Sequence, residues 1–209
     1  MLTKKIYLVR HGQTDYNLKG VVQGSGIDAP LNDHGRLQAA AFFDAYKDVP
    51  FEKAFYTGLQ RTKQSIQQFL DLGIPSESVP ELNEISWGDY EGQPMTPDEN
   101  AYYQSMLAKW ASGDLDFAIK GGESPNQVSK RLRIGLEKIL NQDQKVILIC
   151  MHGRAMRMLL SILMKVDLKY MDQFEHRNLG LYVLEIDGKG NVEIIKNNSG
   201  DHLQLKALI

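Results

Sequence analysis

Two histidines in this sequence share one local arrangement. In "LVRHG" His11 follows an apolar run, and in "ICMHG" His152 follows a second one, each with a glycine next. A lone histidine in such a place is either a reactive group or an ordinary surface side chain, and the repeat of the pattern favours the first. In open parallel sheets the ligand crevice lies at the carboxyl ends of the strands. If the two strands are neighbours, His11 and His152 converge there from about 140 residues apart. Gly153 then opens a helix whose free N–H groups and dipole favour an anion. A histidine pair could also ligate a metal, but no third His, Cys or carboxylate stands at ligand spacing beside either one, so no metal is expected.

Arg10 and Arg61 add two guanidinium groups, the side chain best shaped for bidentate phosphate binding, although either alone is an unremarkable surface arginine. Glu84 lies in "ELNEISWGDYEG", where a carboxylic acid beside such a pocket could protonate a leaving alcohol. Glu81, Asp89 and Glu91 compete with it on sequence grounds. The chemistry suggested is therefore that of a phosphate ester held between cations, with an imidazole and an acid at hand.

The elements that must position these groups follow from pattern. Lys5 to Val9 and "KVILIC" are continuous apolar runs of the buried parallel type, and "FEKAFYT" is a shorter strand. Asn32 caps a helix expected to carry Leu37, Ala40 and Ala41 inward. "GLQRTKQSIQQFLDLG" is a helix with Leu59, Ile66, Phe69 and Leu70 on one face, closed by Gly73, and Arg61 lies off that stripe. Ser124 and Pro125 start another helix, with Val128, Leu132, Leu136, Ile139 and Leu140 in helical period. "MHGRAMRMLLSILMKV" makes a last helix, and "GLYVLEI" and "VEIIKN" form an antiparallel hairpin. Strand–helix alternation ending in a hairpin predicts a three-layer α/β fold: a mostly parallel sheet with helices on both faces. Residues 1–209 form one domain, with 92–122 fitting the alternation poorly. That segment holds a helix from Asp98 to Ser112 bearing Tyr102, Tyr103, Met106 and Trp110, and is expected to be an inserted helical cap.

Bulk properties set limits. The chain has 209 residues, long enough for a sizeable core, and a formal charge of -2. That balance argues against a nucleic-acid binder working through bulk electrostatics but leaves room for a local basic pocket. Cys150 is the single cysteine, so no internal disulfide is available, which fits a reducing compartment. The start of the chain is too short in apolar residues for a signal peptide, and no run approaches about 18 apolar residues, so a cytoplasmic protein with no membrane partner is expected. The hairpin offers an edge on which a homodimer could pair. Monomers carry such edges too, and the oligomeric state stays open.

These blocks occur in an order that resembles the histidine phosphatase superfamily, the phosphoglycerate-mutase-like proteins, over nearly the whole chain. "RHGQT" matches the hallmark, followed by Asn17, Gln23 and Gly24, then the stretch from Asp28 to Ala39. "YTGLQRTKQS", "LNEISWGDYEG", "GGES" and the second "HG" come next in sequence. The resemblance implies that His11 is the nucleophile and becomes phosphohistidine. It implies that Arg10 and Arg61 bind the phosphoryl group with help from Asn17 and Gln23, that His152 is a further donor to its oxygens, and that Glu84 protonates the leaving group. Gly24 and Gly153 belong to the same substrate-binding set. No cofactor is implied, since two arginines and a histidine supply the charge. Met151 stands where many relatives have a small hydroxyl residue, and "QGSGIDAPL" is one residue longer than usual, which puts the reach of Gln23 in question. "NNSGDHL" matches a terminal motif of some members and raises His202 as a further candidate.

The function expected is hydrolysis of a small-molecule phosphate ester. The segment Ile85 to Gly122 holds only Lys109 and Lys120 as basic residues against six acidic ones, too few cations for a mutase that must grip a substrate at either end. Mutase-type transfer and a non-catalytic phosphate-binding module are the alternatives.

Overall fold

The computed structural model describes residues 3–208. Its centre is one six-stranded sheet in the order β3-β2-β4-β1-β5-β6. The strands are β1 (Lys4–Arg10), β2 (Lys53–Tyr56), β3 (Ser76–Ser78), β4 (Val146–Met151), β5 (Leu181–Ile186) and β6 (Val192–Ser199). β3, β2, β4 and β1 run parallel, whereas β5 and β6 are antiparallel. The expected fold class therefore holds, and the short edge strand β3, with only three residues, is the one the sequence pattern did not announce.

Alternation along each strand divides the core into two layers. Ile6 and Leu8 of β1 and Ile147 and Ile149 of β4 face α4 (Pro97–Ser112), α5 (Pro125–Leu140) and α6 (Gly153–Leu163). Val9, Leu148 and Cys150 face α2 (Asp33–Tyr46), α3 (Gln60–Asp71) and the short α7 (Asp201–Gln204). One more short helix, α1 (Asp15–Leu18), follows β1.

Asn32 caps α2 by accepting from the Gly35 N–H at 2.8 Å, as its position predicted. The buried face is only partly the expected one. Ala41 is buried as expected, but Leu37 is 56% exposed, and Gly35, Gln38, Ala39 and Phe42 point inward. The helix is turned because its first turn meets the loop after β1. A Cβ on Gly35 would lie 2.1 Å from the Gln13 carbonyl oxygen, and Gln38 Oε1 accepts from the Gln13 N–H at 3.0 Å. Contact with that loop thus outweighs the burial of one leucine.

The segment between Gly92 and Gly122 leaves and rejoins the domain at one place. The Gly92 N–H donates to Val22 O at 2.9 Å, the Asp89 N–H to Lys120 O at 3.1 Å, and the Glu123 N–H to Ser86 O at 2.9 Å. Gly88, at φ +52°, allows this closure, since a Cβ there would meet Lys120 O at 2.1 Å. Between these ends α4 starts with a Thr96–Glu99 capping box and stops at Gly113 in the left-handed region. Trp110 anchors it, stacked on Trp87 at 5.9 Å with its indole N–H donating to Phe117 O. Tyr103 meets the Trp87 ring edge-on, while Tyr102 is 41% exposed.

Candidate active site

β1 and β4 are direct neighbours, with Arg10 paired to Met151, so the two histidines emerge side by side. Their ring centroids lie 5.2 Å apart. His11 is buried, its N–H donates to Met151 O at 3.0 Å, and its Nδ1 is 2.7 Å from Gly12 O. A carbonyl oxygen only accepts, so Nδ1 carries the proton and Nε2 presents its lone pair. Burial, reinforced by Arg61 and Arg10, holds this imidazole well below its ordinary pKa. A neutral, Nδ1-protonated ring with a free Nε2 is the form a nitrogen nucleophile requires. Ser65 holds the residue whose carbonyl sets the tautomer, accepting from the Gly12 N–H at 2.9 Å.

Arg61, off the apolar stripe of α3, is nevertheless fully buried. Its Nη1 donates to Ile27 O at 2.6 Å, its Nη2 to Gly24 O at 3.2 Å and its Nε to His152 Nδ1 at 3.2 Å. The extra-long loop thus wraps the guanidinium, and Asp28 closes it by accepting from the Gln60 N–H at the start of α3. Because His152 Nδ1 accepts, Nε2 bears the proton and donates to Thr57 Oγ1 at 2.9 Å. Thr57 passes its hydroxyl proton to Thr62 Oγ1 at 3.0 Å, and Thr62 donates to Leu59 O at 2.8 Å. Every donor in this chain is assigned. The neutral His152 ring therefore has both nitrogens engaged, and none left over as a donor to a phosphoryl oxygen. Burial, then Arg61, keeps it well below the usual imidazole pKa.

Arg10 stands opposite. Its Nη1 is 3.3 Å from His176 Nδ1, and its Nε is buried with no hydrogen-bond partner. Burial lowers both arginines to about 10, partly offset by Glu84, so both stay charged at neutral pH. Gln23 is tied to the loop after β1. Its Oε1 accepts from Thr14 Oγ1 at 2.8 Å, leaving Nε2 buried and unpartnered. Thr14 and Asn17 form a capping box on α1, and Asn17 Oδ1 also accepts from Asn178 Nδ2 at 3.2 Å. The same Nδ2 donates to His11 O at 3.0 Å. Arg10 Nε and Gln23 Nε2 are thus two buried donors without partners, groups suited to an oxyanion.

Glu84 is buried on the other side. Its Oε2 accepts from the Arg154 N–H at 3.0 Å, and its Oε1 from the Ala155 N–H at 2.8 Å and the Ile85 N–H at 3.0 Å. α6 has no side-chain cap of its own, so this carboxylate takes the anion position at its N-terminus. The sequence reading gave that position to substrate through Gly153, but the structure fills it with a side chain. Gly153 instead makes room for His176, whose ring lies 2.7 Å from where a Cβ would be. Of the competing acids, Asp89 pairs with Lys120 at 3.8 Å and Glu91 accepts from the Trp87 N–H at 2.9 Å. Arg131 of α5 secures the Glu84 segment, donating to the carbonyls of Glu81, Asn83 and Glu84 at 2.6–2.9 Å while pairing with Glu123. Gly24 serves through its carbonyl on Arg61, and the Glu91 carboxylate fills the space a Cβ would need there.

Three residues that matter here escaped the sequence reading: His176, Asn178 and Arg131. His176 and Asn178 belong to "FEHRNLG", a loop with no periodicity, and Arg131 is one of many exposed-type positions on a helix. His202 does not join the site. It is buried between Phe42 and Tyr46, at 5.3 and 5.7 Å, on the opposite layer. Met151 packs in the core, and Cys150 is buried with its thiol pushed well up by that burial. Among the described residues no three His, Cys, Asp or Glu side chains converge as a metal site.

Comparison with known proteins accords with this geometry. The chain is 33% identical over 147 residues to fructose-2,6-bisphosphatase TIGAR B of Danio rerio, covering 68% of this chain and 55% of that protein. It thus spans about half the length of that relative. It is 30% identical over 177 residues to 2,3-bisphosphoglycerate-dependent phosphoglycerate mutase 2 of Gloeobacter violaceus, covering 81% and 78%. The crystal structure of the alpha-ribazole phosphatase from Shigella flexneri superposes with a TM-score of 0.81 at 25% identity, covering 93% of this chain and 96% of that one. The model of the histidine phosphatase superfamily (branch 1) matches residues 6–199, and the chain belongs to that family.

Proposed function

We propose that this chain is a phosphomonoester hydrolase that works through a phosphohistidine on His11 Nε2. The observation that carries the reading is the buried, neutral His11 ring, its tautomer fixed by Gly12 O, with Arg10 and Arg61 acting on it and Arg10 Nε left without a partner. The Nε2 lone pair attacks phosphorus, the bond to the ester oxygen breaks, and Glu84 supplies the proton to the leaving alcohol. Water then attacks phosphorus, Glu84 takes its proton, and the P–N bond breaks to return phosphate and neutral His11. Arg10, Arg61 and Gln23 bear on the equatorial oxygens, and Asn17, tied to Asn178, closes the loop beside them. A well-placed arginine is worth about 10³–10⁵ in rate, and a general acid about 10²–10⁴.

His152 acts first by holding Arg61. To donate to the phosphoryl group as well, it would have to take a second proton on Nδ1 and release Arg61 Nε. Residues 92–122 act as a cap on the single domain, over the side of the site that receives the leaving group. Hydrolysis is favoured over mutase transfer because that segment offers few cations: Lys109 lies 3.5 Å from the Phe117 ring centroid, which leaves the exposed Lys120, 3.8 Å from Asp89. The substrate is a small phosphorylated metabolite, in a cytoplasmic protein acting without nucleic acid, membrane or cofactor. No helix among the described residues is long and apolar enough to cross a membrane.

p-Nitrophenyl phosphate turnover by wild type and His11→Ala, with and without EDTA, tests this. Activity that survives EDTA and disappears in the variant supports the reading, and unchanged turnover in His11→Ala sinks it. Incubation with 3-phosphoglycerate, watching for free phosphate or the 2-isomer, separates hydrolase from mutase.

A further inference from the structure

Both phosphate-facing arginines are held by an imidazole nitrogen. Arg61 Nε donates to His152 Nδ1 at 3.2 Å, and Arg10 Nη1 donates to His176 Nδ1 at 3.3 Å. The second imidazole comes from a loop that nothing in the motif pattern marks. We propose that His176 is a positioning residue for Arg10: it fixes the guanidinium through Nη1 and so turns the buried, unpartnered Nε toward the phosphoryl group. This rests on the phosphohydrolase reading above.

Four observations support it. First, the contact is directional, since Arg can only donate, so His176 Nδ1 is the acceptor and the imidazole proton sits on Nε2. Second, the ring is seated, not loose. It lies over Gly153, with three ring atoms 2.7–3.1 Å from the place of a Cβ, so any other residue after His152 would displace it. The pair His152–Gly153 therefore serves both arginines, one by its side chain and the other by lacking one.

Third, the acceptor is uncharged. A carboxylate in its place would neutralise Arg10, whereas an imidazole aims it and leaves its full charge for substrate. Burial, with Arg10 and Arg157 nearby, lowers His176 to about 2, so it stays neutral throughout the working range. Fourth, among the described residues no carboxylate pairs with Arg10: Asp172 accepts from Arg154 and Arg157, and the oxygens of Glu84 accept from the Ile85, Arg154 and Ala155 N–H groups.

The test compares His176→Leu, which removes the acceptor, with His176→Asn, whose Oδ1 takes the place of Nδ1. The readouts are the dissociation constant of inorganic phosphate, followed by ³¹P NMR, and kcat and KM for p-nitrophenyl phosphate. His176→Leu should weaken phosphate about tenfold and raise KM in step, with a smaller change in kcat, whereas His176→Asn should stay within about threefold of wild type. Gly153→Ala should resemble His176→Leu, and the two together should lose little more than either alone. Wild-type phosphate affinity in folded His176→Leu, or equal damage from Leu and Asn, overturns the assignment. Should the leucine variant not fold, His176→Phe, a ring of similar size with no acceptor, replaces it. Wild-type affinity there has the same meaning. Turnover surviving in His11→Ala would instead discard the hydrolase reading, and the phosphate titration would still judge His176.

Discussion

Lowering the pH from about 7.5 to 5.5 loads a cost on the folded chain that can be worked from four side chains. His11, His152 and His202 are buried and His176 is half-buried, and burial is the first cause of a lowered pKa in each. His176 falls to about 2 and His202 to about 4. In the unfolded chain each returns to about 6.5. As the pH falls, the unfolded chain takes up protons that the folded chain refuses. Stability is therefore full above about pH 6.5 and declines below it. Each proton the folded chain refuses costs on the order of 1 kcal/mol over that interval, so the decline should reach a few kcal/mol. That is a large share of the stability of an ordinary domain, about 5–15 kcal/mol. Urea unfolding at several pH values in phosphate-free buffer measures it. His202→Phe, away from the site, should reduce the decline by about 1 kcal/mol. A stability constant within about 1 kcal/mol between these pH values would refute the neutral imidazoles on which the nucleophile assignment rests.

Other variants probe the site piece by piece. Glu84→Gln keeps an acceptor for α6 but loses the proton, so kcat on alkyl phosphates should fall about 10²–10⁴-fold, and less on p-nitrophenyl phosphate, whose leaving group needs no acid. Arg131→Met leaves three carbonyls of the Glu84 segment without their donor. It should lower kcat more than it raises KM and cost about 2–4 kcal/mol of stability in urea titrations. Gly35→Ala drives a Cβ into the Gln13 carbonyl at 2.1 Å and should lower both melting temperature and kcat/KM, because the loop it pushes carries Thr14 and Asn17. Thr62→Val strands the Thr57 hydroxyl and should cost about 1–3 kcal/mol while raising KM through a loosened His152 and Arg61.

Much of this was legible in the sequence because the groups sit on elements with strong periodicity. β1 and β4 are unbroken apolar runs, so His11 and His152 could be placed at strand ends before any geometry was known, and Ser124 and Pro125 marked the start of α5 outright. What stayed hidden depends on contacts between distant segments. Leu37 obeys helical period yet lies in solvent, since the first turn of α2 answers to Gln13 and not to the core. The N-terminus of α6 does attract an anion, but only the fold reveals that Glu84, from 69 residues earlier, provides it. His176, Asn178 and Arg131 lie in stretches where residue type carries no positional signal. The arginines of α6 lie outside the stretch from Ile85 to Gly122, and only the fold brings Arg154 and Arg157 together on Asp172.

The central claim is a phosphoryl group on one nitrogen of one residue. Rapid quenching of the enzyme during turnover of a ³²P-labelled phosphate ester, followed by alkaline peptide mapping, looks for it directly. The account predicts an acid-labile, base-stable label on the peptide holding His11, attached at Nε2 and absent from His11→Ala. A label on another residue, or steady turnover by His11→Ala, would contradict it.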